Sequence, residues 1–411
     1  MISLGPNFRD WWQPPRRARD RPTTRMVSFL ELFYDLVYVV LVAELSRGLS
    51  NHITWAGLGG FAFLFVIVWW AWFNGTTYHD LHGNNDIRTR VFTFLQMFSV
   101  VTMAVFAHDA LGEGSTGFAL SYGALQLILT YLWWRTGVHD PNHRPLSRPY
   151  SGTFLINTLL FVASAFVPTP WRFDLWGAAL LLSLSLPLFI FNLGRVNPKA
   201  QGEIDLVSTP SPSLMERFGL FTIIVLGEVI VGVVTGVSDH HPLSWLGGGT
   251  AALGTLIAIG LWWVYFDFVS QHRPYPNTAT VSEWLYLHLP LSMGIAAVGA
   301  ALLNVVDHAG ERLPTNVRWL LVSALATTLI STTGLMRTIQ LSPEHQRMHQ
   351  AGGQVMLVSA VLIALLGLTS LNTIPLLSLL VLLMLAPVFY AFRVRIKMLS
   401  NESGSTSDGD G

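Results

Sequence analysis

Residues 26–49 read MVSFLELFYDLVYVVLVAELSRGL. The stretch is long and apolar enough to cross a bilayer, because about 20 mostly apolar residues form a membrane-spanning helix. It nevertheless carries three carboxylates, Glu31, Asp35 and Glu44. A charge at the centre of a membrane helix costs about 2.5–3.5 kcal/mol on the insertion scale. Such residues therefore have a partner, a water-filled cavity or a function.

The polar residues of this predicted helix divide between two faces. Glu31, Asp35 and Tyr38 follow at i, i+4 and i+7 and share one face, whereas Glu44 points elsewhere and has Arg47 one turn on as a partner. Asp35 lies two turns from the helix start and is too short to reach the headgroups, so we expect a functional or buried role for it. Glu31 lies one turn in, and an interfacial charge explains it equally well.

The composition predicts an integral membrane protein. Hydrophobic residues make up 51% of the 411 residues and charged residues 12%, with a mean hydropathy of +0.48, against about 25% charged in soluble domains. This apolar composition makes the lipid bilayer the predicted partner, and the net charge of zero predicts no nucleic-acid partner. Without cysteine, a P-loop or a dinucleotide motif, we expect no cofactor and no metal. The oligomeric state stays open.

Apolar runs predict about twelve transmembrane helices. They lie near 28–47, 55–77, 90–108, 117–134, 151–167, 173–194, 214–235, 246–269, 281–304, 317–336, 353–370 and 373–392. With a cytoplasmic N-terminus, only four of the 24 Lys and Arg residues fall on the outer side: Arg47, Arg172, Arg312 and Arg318. Basic residues concentrate on the cytoplasmic side of membrane proteins. Both termini are therefore predicted to be cytoplasmic.

A second stretch resembles the first. Residues 216–234 read ERFGLFTIIVLGEVIVGVV, which also opens with Glu-x-Phe and reaches Val-Leu before a second acid, but has Leu220 where the first stretch has Asp35. WWAWFN (69–74) likewise matches WWVYFD (262–267). Six spans per half give both halves the same orientation, which predicts a parallel repeat of two six-helix halves.

The resulting domain prediction has five parts. Residues 1–27 form a basic cytoplasmic arm, without a cleavable signal and outside any folded domain. Residues 28–195 and 214–397 form the two membrane halves, joined by a cytoplasmic linker, 196–213. The Gly- and Ser-rich residues 398–411 form a disordered tail.

The predicted cytoplasmic loop YHDLHGNNDIRTR carries a polar cluster, His79, Asp80 and His82. These are metal-ligand residue types, but their spacing matches no strong metal signature, so no metal is expected there. Arg88 and Arg90 follow this cluster in sequence and are cations that could compensate Glu31, Asp35 or Asp80. Because burying two opposite charges together is far cheaper than burying one, we expect pairing among them.

Three further candidates lie in the second half. Glu216 is near the cytoplasmic end of its span, whereas Glu228 is deepest and follows Gly227, where we expect a neighbouring helix to approach closely. Glu228 carries protons or is a protonated acid that hydrogen-bonds across a helix pair. His288 lies mid-helix before Pro290. It relays protons or is a neutral histidine that donates to a backbone carbonyl.

Two motifs resemble those of the bacterial low temperature requirement A family. The first is an acid-rich ELFYDLVY helix in which six positions match and the tyrosines are near substitutes: Glu31, Leu32, Phe33, Asp35, Leu36, Val37, Tyr34 and Tyr38. The second is Leu226-Gly227-Glu228. The resemblance implies a multi-spanning protein of the bacterial plasma (inner) membrane and supports the identity of the acidic positions, but implies no activity.

Three functions remain open. The leading hypothesis is a proton-coupled secondary transporter of unknown substrate, in which Asp35 and Glu228 carry protons and Glu31 and Glu216 lie nearer the cytoplasmic mouth. The second is a membrane-embedded enzyme that acts on a lipid or lipid-linked substrate at the cytoplasmic face, with Asp35, the polar loop cluster and Arg88 as its site. The third is a scaffold whose acids lock helices together. An enzyme is the less favoured reading.

Overall fold

The computed structural model describes residues 12–22, 25–196, 198–207, 209–238 and 244–407. This part of the chain folds into thirteen α-helices and contains no β-strand beyond isolated bridges. The helices are α1 (Phe29–Asn51), α2 (Trp55–His82), α3 (Ile87–Ala107), α4 (Ser115–His139), α5 (Arg144–Ser164), α6 (Trp171–Val196), α7 (Pro198–Val207), α8 (Pro212–Ser238), α9 (Trp245–Tyr265), α10 (Thr278–Val305), α11 (Thr315–Thr338), α12 (Pro343–Leu366) and α13 (Thr373–Ser407). A π-helical turn, Phe266–Ser270, follows α9.

Each predicted span coincides with one long helix, and the short helix α7 lies in the predicted linker. Within the described residues, nine helices are long and apolar enough to cross a membrane, by length and composition. The charged residues of α1 explain why it is not among the nine. The protein is therefore an all-α, multi-spanning membrane protein.

The described chain divides into two compact units. The first contains the residues up to Gly48, Gly59–Phe221 and Pro276–Ser282. Within it, α3, α4, α5 and α6 pack in succession. The second contains Leu49–Leu58, Thr222–Tyr275 and the chain from Glu283. Within it, α11, α12 and α13 pack in succession, and α13 also packs against α9.

The N-terminal arm, predicted as a basic segment that is not a folded domain of its own, packs onto the first unit. Ala18 is buried in a hydrophobic cluster with Tyr78 and Trp133. The backbone N–H of Arg16 donates to the carbonyl of His82 at 3.2 Å. Its basic composition suggested a solvated segment, but composition does not reveal these backbone hydrogen bonds or the burial of one small apolar side chain.

The two predicted ends of the chain lie partly outside the described residues. The parts that lie outside are residues 1–11 and 23–24 of the basic arm and residues 408–411 of the tail. Helix α13 continues to Ser407, so most of the predicted disordered tail belongs to that helix. The apolar run starts this helix. The helix then continues into the Gly- and Ser-rich segment, for which composition alone predicts disorder.

Helices α8 and α10 approach each other closely within the second unit at Gly232 and Gly299. A Cβ atom added to Gly232 would collide with the carbonyl oxygen of Gly299, and one added to Gly299 would lie 2.8 Å from the carbonyl oxygen of Glu228. Nothing lies within 4 Å of a Cβ atom added to Gly227. The prediction of close approach at Gly227 is therefore wrong, because the helix contact lies about one turn further along α8.

This contact gives a test of the fold. We expect Gly299→Ala to lower the free energy of unfolding by about 1–3 kcal/mol, because overpacking forces a backbone shift. Gly227→Ala is the matched control and should be neutral or stabilising, since alanine favours helix. Thermal unfolding in detergent measures both. Equal effects of the two substitutions would contradict the helix contact.

Candidate functional site

A buried ion pair joins α1 to α8 within the first unit. The Arg217 guanidinium donates from Nε to Oδ2 of Asp35 at 3.1 Å, and its second terminal nitrogen donates to Oδ1. Trp72 Nε1 also donates to Oδ1, at 2.7 Å. Asp35 and Arg217 are both almost fully buried. Three donors thus contact this carboxylate, and hydrogen bonds of this charge-assisted kind are strong ones.

Aromatic rings enclose this pair. Trp72 stacks on Phe221 with ring centres 4.1 Å apart, and Phe218 meets Trp72 edge-on at 5.1 Å. The guanidinium carbon of Arg217 lies 5.5 Å from the centre of the Tyr34 ring, a cation–π distance. The pair therefore lies in a dry environment, where an unpaired charge is expensive and a paired one interacts strongly.

The predicted polar face of α1 is confirmed as a buried face. Glu31, Asp35 and Tyr38 are all buried. The Tyr38 and Tyr34 hydroxyls lie 3.2 Å apart, and Tyr34 donates to Oε1 of Gln96 at 3.4 Å. This face of α1 is thus a continuous polar network within the first unit.

Glu31 lies one turn before Asp35 and binds two cations. Arg25 donates to its Oε1 at 2.8 Å, and a terminal nitrogen of Arg217 lies 3.9 Å from the same oxygen. The Ser28 backbone and hydroxyl both donate to Oε2, at 2.9 and 2.8 Å, in a capping box that begins α1. Glu31 is therefore a buried, paired carboxylate, and Arg217 lies between two acids.

The expected cation partners were wrong. Arg88 Nε lies 3.6 Å from Oδ2 of Asp86, and Arg90 donates to Asn85. The three acids pair instead with arginines of the N-terminal arm and of α8: Arg21, Arg25 and Arg217. Arg25 is six positions from Glu31, but helix packing brings Arg21 to Asp80 and Arg217 to Asp35 across 59 and 182 positions.

Asp80 ties the arm to the start of α8. Its Oδ2 accepts from Arg21 at 3.1 Å, and its Oδ1 accepts from the Ser213 hydroxyl at 2.8 Å and from the Ser211 hydroxyl. The Ser211 hydroxyl in turn accepts from the backbone N–H of Leu214 at 2.9 Å. Asp80 therefore serves as a structural anchor in this arrangement.

The two histidines near Asp80 also have defined partners. His79 Nε2 lies 3.0 Å from the Thr93 hydroxyl, and His82 Nδ1 donates to the carbonyl of Arg16 at 2.9 Å. Across the described part of the chain, no group of three or more His, Cys, Asp or Glu side chains is arranged to hold a metal ion. These contacts hold the end of α2 against α3 and the arm.

A cavity of about 910 Å³ opens beside Glu31, at the start of α1, the end of α2 and the start of α3. Its lining combines three arginines with a carboxylate, a histidine and aromatic rings: Arg16, Arg25, Arg90, Glu31, His79, Phe29, Phe33 and Phe94. Burial, with help from nearby Arg25, lowers the pKa of Arg16 to about 10. Arg16 therefore stays charged at neutral pH, and the cavity is cationic. Neither Asp35 nor Glu228 lines it.

The second unit holds a separate polar group. His288 Nδ1 donates to the carbonyl of Trp284 at 2.8 Å, and its Nε2 lies 3.1 Å from the Tyr265 hydroxyl. The carbonyl therefore fixes the ring, and Nε2 faces the tyrosine hydroxyl. Glu228 is buried on α8 in the same unit.

Two other acids are surface groups. Glu44 accepts from Arg47 at 2.7 Å, which confirms the predicted pair. Glu216 is exposed and accepts from the backbone N–H of Val27 at 3.4 Å.

Sequence reasoning missed Arg217 and Trp72 as site residues. Arg217 had a signal, because it lies inside the predicted span 214–235, where an arginine is as costly as an acid. Trp72 had none of its own, since tryptophans are common in membrane proteins for other reasons. The arm residue Arg25 was counted only as part of the cytoplasmic charge.

The ion pair can be tested with a double-mutant cycle. Asp35→Asn and Arg217→Gln should each lower the free energy of unfolding by about 3–5 kcal/mol, because each leaves a buried charge without its main partner. The double variant should lose less than the sum of the two. Glu44→Gln breaks an exposed pair and should cost about 0–1 kcal/mol. Additive losses in detergent unfolding would contradict the coupling.

Comparisons with known proteins agree with this architecture. The model of the bacterial low temperature requirement A protein family matches residues 26–391. An uncharacterised protein of Rhizobium meliloti (strain 1021) is 26% identical over 314 residues, which cover 72% of this chain and 73% of that protein. No solved structure matches the chain. Since the family match spans most of the chain and includes both acid-bearing helices, the protein belongs to the bacterial low temperature requirement A family.

Proposed function

We propose that the protein is a proton-coupled secondary transporter of the bacterial plasma membrane, with Glu31 as its exchangeable carboxylate. The observation that carries this proposal is the position of Glu31: it borders the 910 Å³ cavity while it binds Arg25 and lies near Arg217. Acids retained within membrane helices mark ion and substrate pathways. The substrate remains to be identified.

Glu31 suits proton coupling better than Asp35. Asp35 does not line the 910 Å³ cavity, whereas Glu31 does. Glu31 already pairs with the cations, as an anion that belongs to the protein itself. Its protonation would free Arg25 for a substrate anion, so anion binding and protonation favour each other, which is a thermodynamic coupling of the two ligands. Asp35 then acts as a positioning residue that holds Arg217 in place.

The proposal includes twelve spans in two parallel six-helix repeats, with both termini in the cytoplasm. The distribution of arginines supports it, as do polar contacts at matching places in the two WW motifs. Trp72 and Tyr265 occupy the same motif position, and each hydrogen-bonds a buried polar side chain, Asp35 and His288 respectively. Corresponding contacts of this kind are expected where a duplicated unit keeps its packing.

A second candidate is an enzyme that acts on a lipid at the cytoplasmic face. The cavity lies at helix ends, where headgroups are expected, and this favours it. Against it, Asp80 and His82, two of its proposed site residues, already make hydrogen bonds that hold the arm and neighbouring helices. The transporter therefore stands first, and a scaffold whose acids only lock helices is the remaining alternative.

Topology is testable by cysteine labelling, because the chain has no cysteine of its own. In intact cells, a membrane-impermeant maleimide should label Glu113→Cys and Glu311→Cys. It should label Asn142→Cys and Gln271→Cys only after permeabilisation. All four positions are exposed, so accessibility within the protein is not limiting. One inverted position would contradict the span count.

The coupling mechanism is testable in vesicles that hold a pH-sensitive dye. With a panel of organic and inorganic anions outside, the wild type should show anion-dependent proton uptake, and Glu31→Gln should abolish it without loss of folded protein. Glu44→Gln, on the same helix, is the control and should keep the flux. Flux in Glu31→Gln equal to wild type would remove Glu31 from the mechanism, and no flux with any anion would contradict transport.

Glu228→Gln in the same assay tests the earlier hypothesis for the second half. Under the proposed mechanism this variant keeps its coupling. If Glu228→Gln folds normally but loses coupling, the exchangeable proton belongs to Glu228.

A further inference from the structure

We propose that the cavity beside Glu31 binds the phosphodiester headgroup of an anionic phospholipid, whose acyl chains leave along the exposed aromatic residues of α1 and α3. The inference rests on the proposed function, because the topology proposed there puts this cavity at the cytoplasmic surface of the membrane. It names the ligand class of that site.

The charges of the cavity call for an anion. Arg25 already pairs with Glu31. Arg16 donates to the neutral carbonyl of Asp80, and Arg90 to the neutral amide of Asn85. Among the described residues, neither Arg16 nor Arg90 has a carboxylate within 4.0 Å. Within the part of the chain that the structure describes, Arg16 and Arg90 thus form no ion pair at contact distance, although the charges of Asp80 and Glu31 act on Arg16 from further away.

A hydrogen-bond donor without a partner in the described chain also lies beside the cavity, at a residue of its lining. Arg16 Nε is buried and has no hydrogen-bond partner among the described residues. Guanidinium groups present planar pairs of N–H donors that match the oxygens of a phosphate. A phosphodiester beside Arg16 and Arg90 would supply both the charge and the acceptors that these side chains lack.

The apolar part of the cavity distinguishes a lipid from a soluble anion. Phe29, Phe33 and Phe94 line it and are 90%, 53% and 51% exposed. On membrane-spanning helices such exposed rings face the acyl chains of the bilayer. Beside arginines at a helix end, an apolar patch of this kind matches the boundary between headgroups and acyl chains, where basic clusters attract anionic lipids. A soluble phosphate would leave these rings uncovered.

The test is native mass spectrometry of the full-length protein in detergent, titrated with phosphatidylglycerol. We expect a saturable bound lipid, and about tenfold weaker binding in Arg90→Gln, the loss expected for one charge-assisted contact. Arg90 is exposed, so the substitution should leave the fold intact. Arg148→Gln is the matched control: another exposed arginine on the predicted cytoplasmic side, outside the cavity.

Two further arms separate the sources of the anion. Phe94→Ala should weaken phosphatidylglycerol binding and leave inorganic phosphate or glycerol phosphate unaffected. Equal affinity for glycerol phosphate and for the lipid would overturn the lipid assignment in favour of a soluble anion. Equal losses in Arg90→Gln and Arg148→Gln would overturn the site, because they indicate only general attraction between a basic surface and an anionic lipid.

This binding measurement is independent of transport. Lipid binding at the cavity without proton flux would overturn the proposed function and leave the headgroup site standing. Proton flux without lipid binding would overturn the headgroup site and leave the proposed function standing.

Discussion

The buried ion pair between Asp35 and Arg217 is the constraint on which the first unit depends. A single charge in a dry helix interface is expensive, and a pair is tolerated only when its geometry and hydrogen bonds are nearly complete. Arg217 donates twice to Asp35, and Trp72 supplies a third donor. The start of α8 is thus held against α1 at a defined height, and the surrounding aromatic rings exclude water from the pair.

That fixed pair sets the position of the exchangeable groups. Arg217 lies between Asp35 and Glu31. Its side chain is fixed by Asp35, and its positive charge also acts on Glu31, which lies one turn nearer the cavity. Arg25 completes the surroundings of Glu31 from the N-terminal arm. The family match begins at residue 26. The arm arginines therefore precede the matched region, whereas the acids that they bind lie within it.

Sequence patterns predicted the helices well and their partners poorly. All twelve apolar runs coincide with long helices, and the shared face of Glu31, Asp35 and Tyr38 is buried. The pair of Glu44 and Arg47 was also correct, because both residues lie on one helix three positions apart. Arg88 and Arg90, which follow the polar loop cluster in sequence, were wrong as partners of Glu31, Asp35 and Asp80. Arg217 is 182 positions from Asp35.

Hydropathy and helical period are local properties, so the sequence by itself determined an all-α membrane protein, the place of each long helix and the face that carries the acids. The choice of ion-pair partner is not local, since it depends on which helices pack and at what height. Only the tertiary structure decided that Arg217 neutralises Asp35, that the arm contributes Arg25, and that Glu31 alone of the acids on that face of α1 borders the cavity. Desolvation is the physical reason: a charge withdrawn from water must find its partner within a few ångströms in space, wherever that partner lies along the chain.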